Sequence, residues 1–142
     1  MSTPSQPLIL LPVDGSDPSG RAAEYCVWFA RAVGGRVLVL NVQPEIEAWQ
    51  THGLGQELAV KHREDLARDK TAAALEKLAG TPHDFLLACG EPAETIGHVA
   101  AEKGCTAVVM GTRGLGKVAG VLLGSVAMKT FHVVKVPITF IQ

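Results

Sequence analysis

A chain of 142 residues, 47% of them hydrophobic, has the length of one compact domain, 1–142, and can bury a core without metal or disulfide staples. A formal net charge of −1 lacks the overall basic footprint of a general nucleic-acid binder. The opening MSTPSQP has no positive cluster and leads into only six apolar-rich residues, so neither a signal peptide nor a membrane span is predicted.

Leu8–Val13 is a short apolar run ending at Asp14-Gly15-Ser16, which predicts a first strand and a turn. Asp17-Pro18 then predicts an N-cap followed by proline at the first helical position. Ala22, Cys26, Phe29, Ala30 and Val33 recur at three- and four-residue spacing, and Gly34-Gly35 closes that helix. Arg36–Val42 is a second buried strand. Gln43–Gly55, with Pro44, Trp49, His52, Gly53 and Gly55, shows no periodicity and is expected to be an excursion loop in which Trp49 and His52 pack back on the domain, cover a ligand or form a partner surface.

Gln56–Ala79 is a long charged helix with Ala59, Leu66, Ala74 and Leu78 toward one side, closed by Gly80 and Pro82. Asp84–Cys89 is a third strand, Pro92 opens a helix carrying Ile96, Val99 and Ala100, and Gly104 ends it. Thr106–Met110 is a fourth strand, Ser125 is expected to cap a helix reaching about Val134, and Ile138–Ile141 is a fifth strand after Pro137. Strands alternating with helices imply an α/β sandwich: a parallel sheet covered on both faces. In such sheets ligands sit at the carboxyl ends of strands where the winding reverses, and Asp14 and Gly111 fall at two such ends.

Cys26, Cys89 and Cys105 have no C-x-x-C or Cys/His metal spacing and are expected to be buried free thiols in a reducing cytoplasm. His52, His62, His83, His98 and His132 share no ligand spacing either, so no metal site is expected.

The most informative segment is Gly111–Ser125, GTRGLGKVAGVLLGS. Its glycines allow a backbone to bring N–H groups close to an anion. Charge agrees: no Asp or Glu follows Glu102, whereas Lys103, Arg113, Lys117, Lys129 and Lys135 do. The first 102 residues carry eight Lys or Arg against fourteen Asp or Glu. A nucleotide phosphate is therefore expected in the C-terminal third.

Three patterns overlap in this loop. Gly111–Val118 approximates a Walker A loop, but Val118 stands where a hydroxyl would hold magnesium. Gly114-Leu-Gly116-Lys-Val-Ala119 meets a permissive dinucleotide pattern, yet no acidic residue follows to bind a ribose, and only one strand remains. The third pattern is Gly111-x2-Gly114-x9-Gly124-Ser125. With Val13-Asp14-Gly15-Ser16, Gly90-Glu-Pro-Ala93, Val108-Val109-Met110-Gly111 and Val136-Pro137-Ile138, it resembles the ATP-binding branch of the universal stress protein family over nearly the whole chain.

That resemblance implies a three-layer α/β sandwich of the adenine nucleotide alpha-hydrolase-like type, with a five-stranded parallel sheet in the order 3-2-1-4-5. It implies ATP, with Mg or Mn, between the ends of the first and fourth strands. Asp14 and Gly15 would meet the adenosine, the backbone of Val42 the adenine edge, and Gly111 the ribose. Thr112, Arg113, Gly114, Gly116 and Lys117 would line the phosphates. Gly124, Ser125 and Val126 would present amides and a hydroxyl at a helix N-terminus. Ala127 departs from the family's frequent small hydroxyl residue there, and Phe131–Val136 is less typical.

The same residues have plainer readings: Asp14 as an Asx turn, Ser125 as a helix cap, the glycines as a sheet-edge crossing. The expected function is a cytoplasmic ATP-binding stress-response regulator whose occupancy is sensed through conformation or dimer state. No catalytic residue is assigned, because the loop supplies cations and amides but no acid, which allows at most slow ATP hydrolysis. A weak ATPase or phosphotransferase using Arg113 and Lys117 is one alternative. A nucleotide-free dimerisation module is the other, and in either case a homodimer through the apolar edge Ile138–Ile141 is expected, with no nucleic acid and no membrane.

Overall fold

The strand Leu8–Pro12 (β1) is uncharged, and Ile9, Leu10 and Leu11 are all fully buried, as a central strand of a sheet covered on both faces requires. The computed structural model of the protein describes residues 5–45, 55–113 and 123–142. Along them run β1, α1 (Asp17–Val33), β2 (Arg36–Gln43), α2 (Gln56–Lys77), β3 (His83–Cys89), α3 (Pro92–Glu102), β4 (Ala107–Gly111), α4 (Ser125–Val133) and β5 (Ile138–Ile141). The strands form one parallel sheet in the order β3-β2-β1-β4-β5, as the family resemblance implies.

Alternation along the strands divides the core in two. On one face Ile9, Leu11, Val37, Val39 and Val109 pack with Ala22, Ala23, Cys26 and Ala30 of α1 and with Ala74 and Leu78 at the end of α2. On the other, Leu10, Leu38, Leu40, Val108 and Met110 pack with Ile96, Val99 and Ala100 of α3 and with Ala127 of α4. Each large aliphatic side chain so buried contributes about 1.5–3 kcal/mol. The small residues on α1 let that helix lie close to the sheet, while Phe29 is half-buried and Val33 is exposed at its end.

Several local expectations shift. The cap of α1 is Ser16, not Asp17: Ser16 Oγ accepts from Ser19 N–H at 3.3 Å, and Asp17 is already helical. Ser125 is the first residue of α4 rather than its cap, because Gly124 takes the extended cap conformation (φ −70°, ψ 171°). On α2 the buried stripe runs through Ala67, Thr71 and Ala74 to Leu78, with Ala59 and Leu66 only half-buried. Thr71 is tolerated there because its hydroxyl donates to the Ala67 carbonyl at 2.6 Å. β4 starts and ends one residue later than expected, and β3 starts at His83. At the β3 edge Asp84 and Phe85 are exposed, so coverage is incomplete there.

Cys26 and Cys105 are buried thiols, whereas Cys89 is half-buried at the end of β3, beside the Arg63 guanidinium. β2 takes in Gln43, and Trp49 and His52 lie outside the described residues. Among the described residues no helix is long and apolar enough to cross a membrane.

Candidate functional site

The chain reverses its winding at β1: the next strand, β2, is added on one side, and β4 on the other. β1 registers with β2 from Leu8↔Arg36 to Pro12↔Leu40, but with β4 only at Ile9↔Ala107 and Leu10↔Val108. Beyond these pairs the carboxyl ends of β1 and β4 part. A cavity of about 540 Å3 opens there, a volume suited to a small organic ligand.

The structure brings Asp14, Val42, Gly111, Thr112, Arg113, Gly124, Ser125 and Val126 to the wall of this cavity. Gly15 is not among the lining residues. It turns the chain at φ +86° with its Cα facing Lys70 of α2, where an added Cβ would lie 3.4 Å away. Gly114, Gly116 and Lys117 lie outside the described residues. Sequence reasoning missed the apolar wall of Pro12, Val13, Leu40, Pro92, Ile96 and Met110, and also Ser16 and Ser19. Their signal was faint: serines at the cap and third helical positions of α1, apolar residues toward the ends of β1, β2 and β4, and two residues in the first two turns of α3.

Local chemistry sets each position. Ser16 N–H donates to Asp14 Oδ1 at 2.9 Å, an Asx turn that ends β1 and aims the chain into α1. Ser16 Oγ also donates to the Arg113 carbonyl at 3.4 Å, and Ser19 Oγ donates to the Ser16 carbonyl at 2.9 Å. The start of α1 is thereby tied to the segment after β4. Gly111 permits that approach, since a Cβ there would lie 2.8 Å from Pro18 Cβ. Thr112 closes the base of the glycine-rich segment: its N–H donates to Ile141 O at 2.8 Å and its carbonyl accepts from Gly124 N–H at 2.6 Å.

First-turn residues of three helices line the cavity, Ser19 of α1, Pro92 of α3, and Ser125, Val126 and Ala127 of α4, with Ile96 at the start of the second turn of α3. Each helix N-terminus carries roughly half a positive charge. Those of α1 and α3 are answered locally. Ser16 caps α1, with Asp17 in its first turn. Glu91 caps α3 by accepting from Glu94 N–H at 2.8 Å. That hydrogen bond, aided by Lys129 nearby, holds the Glu91 carboxyl below its usual range. Helix α4 has no side-chain cap hydrogen bond and no acid in its first turn. Among the described residues, its amides are the ones without a local side-chain cap or acid, and so the ones suited to meet an anion.

The cavity is thus polar at the α4 end, where Arg113 joins the helix N-terminus, and apolar toward β2 and α3, where Leu40, Val42 and Ile96 stand. A ligand with a flat apolar portion and an anionic tail matches that division. Asp14 is the only carboxylate among the described lining residues, and one of its oxygens already serves the Asx turn. Among the described lining residues, Arg113, Ser16, Ser19, Ser125 and the first amides of α4 are groups able to hold and orient a ligand.

An open, doubly wound parallel sheet with a crevice at its switch point defines a class of α/β ligand-binding proteins. Within it the chain belongs to the universal stress protein family, whose family model matches residues 8–142. A universal stress protein of Thermus aquaticus, described by its place in the 3′ region of a QAH/OAS sulfhydrylase, is 36% identical over 135 residues, covering 94% of this chain and 97% of its own. Among solved structures, the hypothetical protein MJ0577 superposes with a TM-score of 0.80 at 24% identity, over 95% of this chain and 94% of its own. A universal stress protein from Archaeoglobus fulgidus in complex with dAMP gives a TM-score of 0.68 at 20% identity, over 99% of this chain and 100% of its own.

Proposed function

We propose that this protein is a nucleotide-sensing stress-response regulator that binds ATP in the β1–β4 crevice and signals through conformation or dimer state. The observation that carries the reading is the uncapped, acid-free N-terminus of α4 facing the same cavity as an apolar wall and the β2 edge. The dAMP complex of the Archaeoglobus protein supports it by analogy of fold.

In this reading Asp14 and Gly15 meet the adenosine, Val42 the base edge through its main chain, and Gly111 the ribose. Thr112, Arg113, Gly114, Gly116, Lys117, Gly124, Ser125 and Val126 receive the phosphates. Mg or Mn would be carried mainly by phosphate oxygens, since Mg commonly uses few protein ligands and the described lining residues include one carboxylate, Asp14. The chain acts as a cytoplasmic homodimer, with β5 supplying the interface. Among the described residues β5 is the edge strand, tied to β4 on one side by main-chain bonds at Pro137, Thr112 and Ile141, and in this reading its outer edge takes a twofold mate.

The test is to denature freshly purified protein, assay the released small molecules, and titrate the emptied protein with Mg-ATP by calorimetry. Co-purified ATP, or micromolar binding abolished in Gly114→Val, is the expected result. Absence of nucleotide and of binding heat at several temperatures refutes the proposal. Sedimentation equilibrium tests the assembly: a species of twice 15.0 kDa is expected, and a monomer at all concentrations refutes it.

A further inference from the structure

The main-chain hydrogen bonds of a parallel strand alternate sides, residue by residue. On β2 the odd residues face β3: Val37 N–H donates to Pro82 O at 3.0 Å, and Gly90 N–H donates to Gln43 O at 3.0 Å. The even residues face β1: Arg36 N–H donates to Pro7 O at 2.8 Å, and Val13 N–H donates to Leu40 O at 2.8 Å. The next rung of that ladder would run from Val42 N–H to the Val13 carbonyl. A side chain stands in its place. Asn41 Nδ2 donates to Val13 O at 2.8 Å, and Asn41 is only 1% exposed.

The orientation of this amide is fixed by chemistry. A carbonyl only accepts, so Nδ2 must face Val13 and Oδ1 must point away. Oδ1 in turn accepts from Gln43 Nε2 at 2.6 Å, and Gln43 is buried as well. A flip of Asn41 would break both buried hydrogen bonds at once. The consequence is geometric. β1 ends at Pro12 and bends into the Asx turn at Asp14, while β2 runs on to Gln43 without a β1 neighbour. Val42, one of the cavity-lining residues, is left with its N–H and C=O toward the cavity side.

We infer that Asn41, locked by Gln43, is the positioning residue that keeps the main-chain edge of Val42 open for a nucleobase. The inference rests on the nucleotide reading for its ligand. The class of group recognised is a base edge with a neighbouring donor and acceptor, which pairs with one N–H and one C=O on the same strand residue. Removing the Asn41 donor leaves the buried Val13 carbonyl in need of a partner, and Val42 N–H is the adjacent one. The β1–β2 ladder then closes by one rung, and the base loses its partner while the phosphate end is untouched.

The experiment has two readouts on Asn41→Leu, with Gln43→Met as a second variant that keeps the Asn41–Val13 hydrogen bond but removes the buried donor to Asn41 Oδ1. First, amide exchange of the ligand-free protein is followed by NMR. In the wild type the Val42 amide exchanges faster than those of Asn41 and Gln43, and in Asn41→Leu it slows by about tenfold or more. Secondly, Mg-ATP and Mg-tripolyphosphate are titrated against each protein. Asn41→Leu loses about tenfold in affinity for Mg-ATP and Gln43→Met a smaller factor, while both change by less than about twofold for tripolyphosphate. A Val42 amide as protected as its neighbours in the wild type overturns the inference, as does an equal loss for both ligands. A wild type whose Val42 amide is open but which gives no heat with either ligand overturns the nucleotide reading and leaves the strand-end geometry standing.

Discussion

Replacing Gly111 by alanine adds a single methyl at the point where β4 meets the first turn of α1. The new Cβ would stand 2.8 Å from Pro18 Cβ and 3.0 Å from both Pro18 C and Ser19 N. Ordinary carbon contacts lie at about 3.5–4.0 Å, so the start of α1 must retreat by about 0.7 Å. Two of the three obstructing atoms are backbone, which leaves no rotamer as an escape. Overpacking of this kind costs about 1–3 kcal/mol. With an unfolding entropy of about 2.1 cal/mol/K per residue, a chain of this length loses about 3–10 °C in Tm. Gly20→Ala is the matched control. Gly20 also lies in α1, and its added Cβ meets only Lys77 Nζ, at 3.4 Å, the tip of a flexible side chain. Relief of the glycine penalty in a helix should raise stability by about 0.5–1 kcal/mol. The two variants are compared with wild type by urea unfolding and by calorimetry, with the urea slope m checked for constancy. Shifts of the same sign, or a Gly111→Ala within about 0.5 kcal/mol of wild type, would refute the packing argument.

Four further perturbations probe the site and the elements that support it. Ser125→Asp places a negative charge in the first turn of α4, where none exists. It should stabilise the helix by about 0.3–1 kcal/mol yet weaken Mg-ATP binding, and parallel changes in both measurements would contradict the anion role. Burial pushes the Cys26 thiol up to about 12 from 9.0. Its contribution is therefore complete below pH 9 and is lost as pH rises toward the folded value, so the urea midpoint of the wild type should fall more steeply above pH 9 than that of Cys26→Ala. In the native protein at pH 8 a thiol reagent should modify half-buried Cys89 and spare Cys26, with mass spectrometry of the labelled peptides as the check. The lowered Glu91 carboxyl carries the opposite sign: its support of α3 is present above the usual carboxylate range and is lost as pH falls through the depressed folded value. Glu91→Gln should accordingly differ from wild type near neutral pH and converge with it in acid, and a difference independent of pH would remove the ionised cap from the account.

The order of strands and helices follows from residues near one another in the chain. Apolar runs such as Leu8–Val13 cannot stay in water, the glycine pair Gly34-Gly35 ends a helix, with Gly34 at φ 65°, and alternation of the two element types leaves a parallel sheet as the economical packing. The candidate phosphate loop was legible for the same reason: its glycines and its surplus of positive charge are local properties of Gly111–Ser125. Errors of one or two residues gathered at element ends, where Ser16 and Asp17, or Gly124 and Ser125, offer comparable local solutions and the surrounding packing chooses. Tertiary structure alone decided the rest. That Ser16 reaches the Arg113 carbonyl, that Gly111 faces Pro18, and that Asn41 takes the Val13 carbonyl are pairings between residues distant in sequence. A polar side chain such as Asn41 in a strand looks the same in the sequence whether it caps, pairs or meets solvent. Its role is set only when another strand ends beside it with a buried carbonyl that must be satisfied.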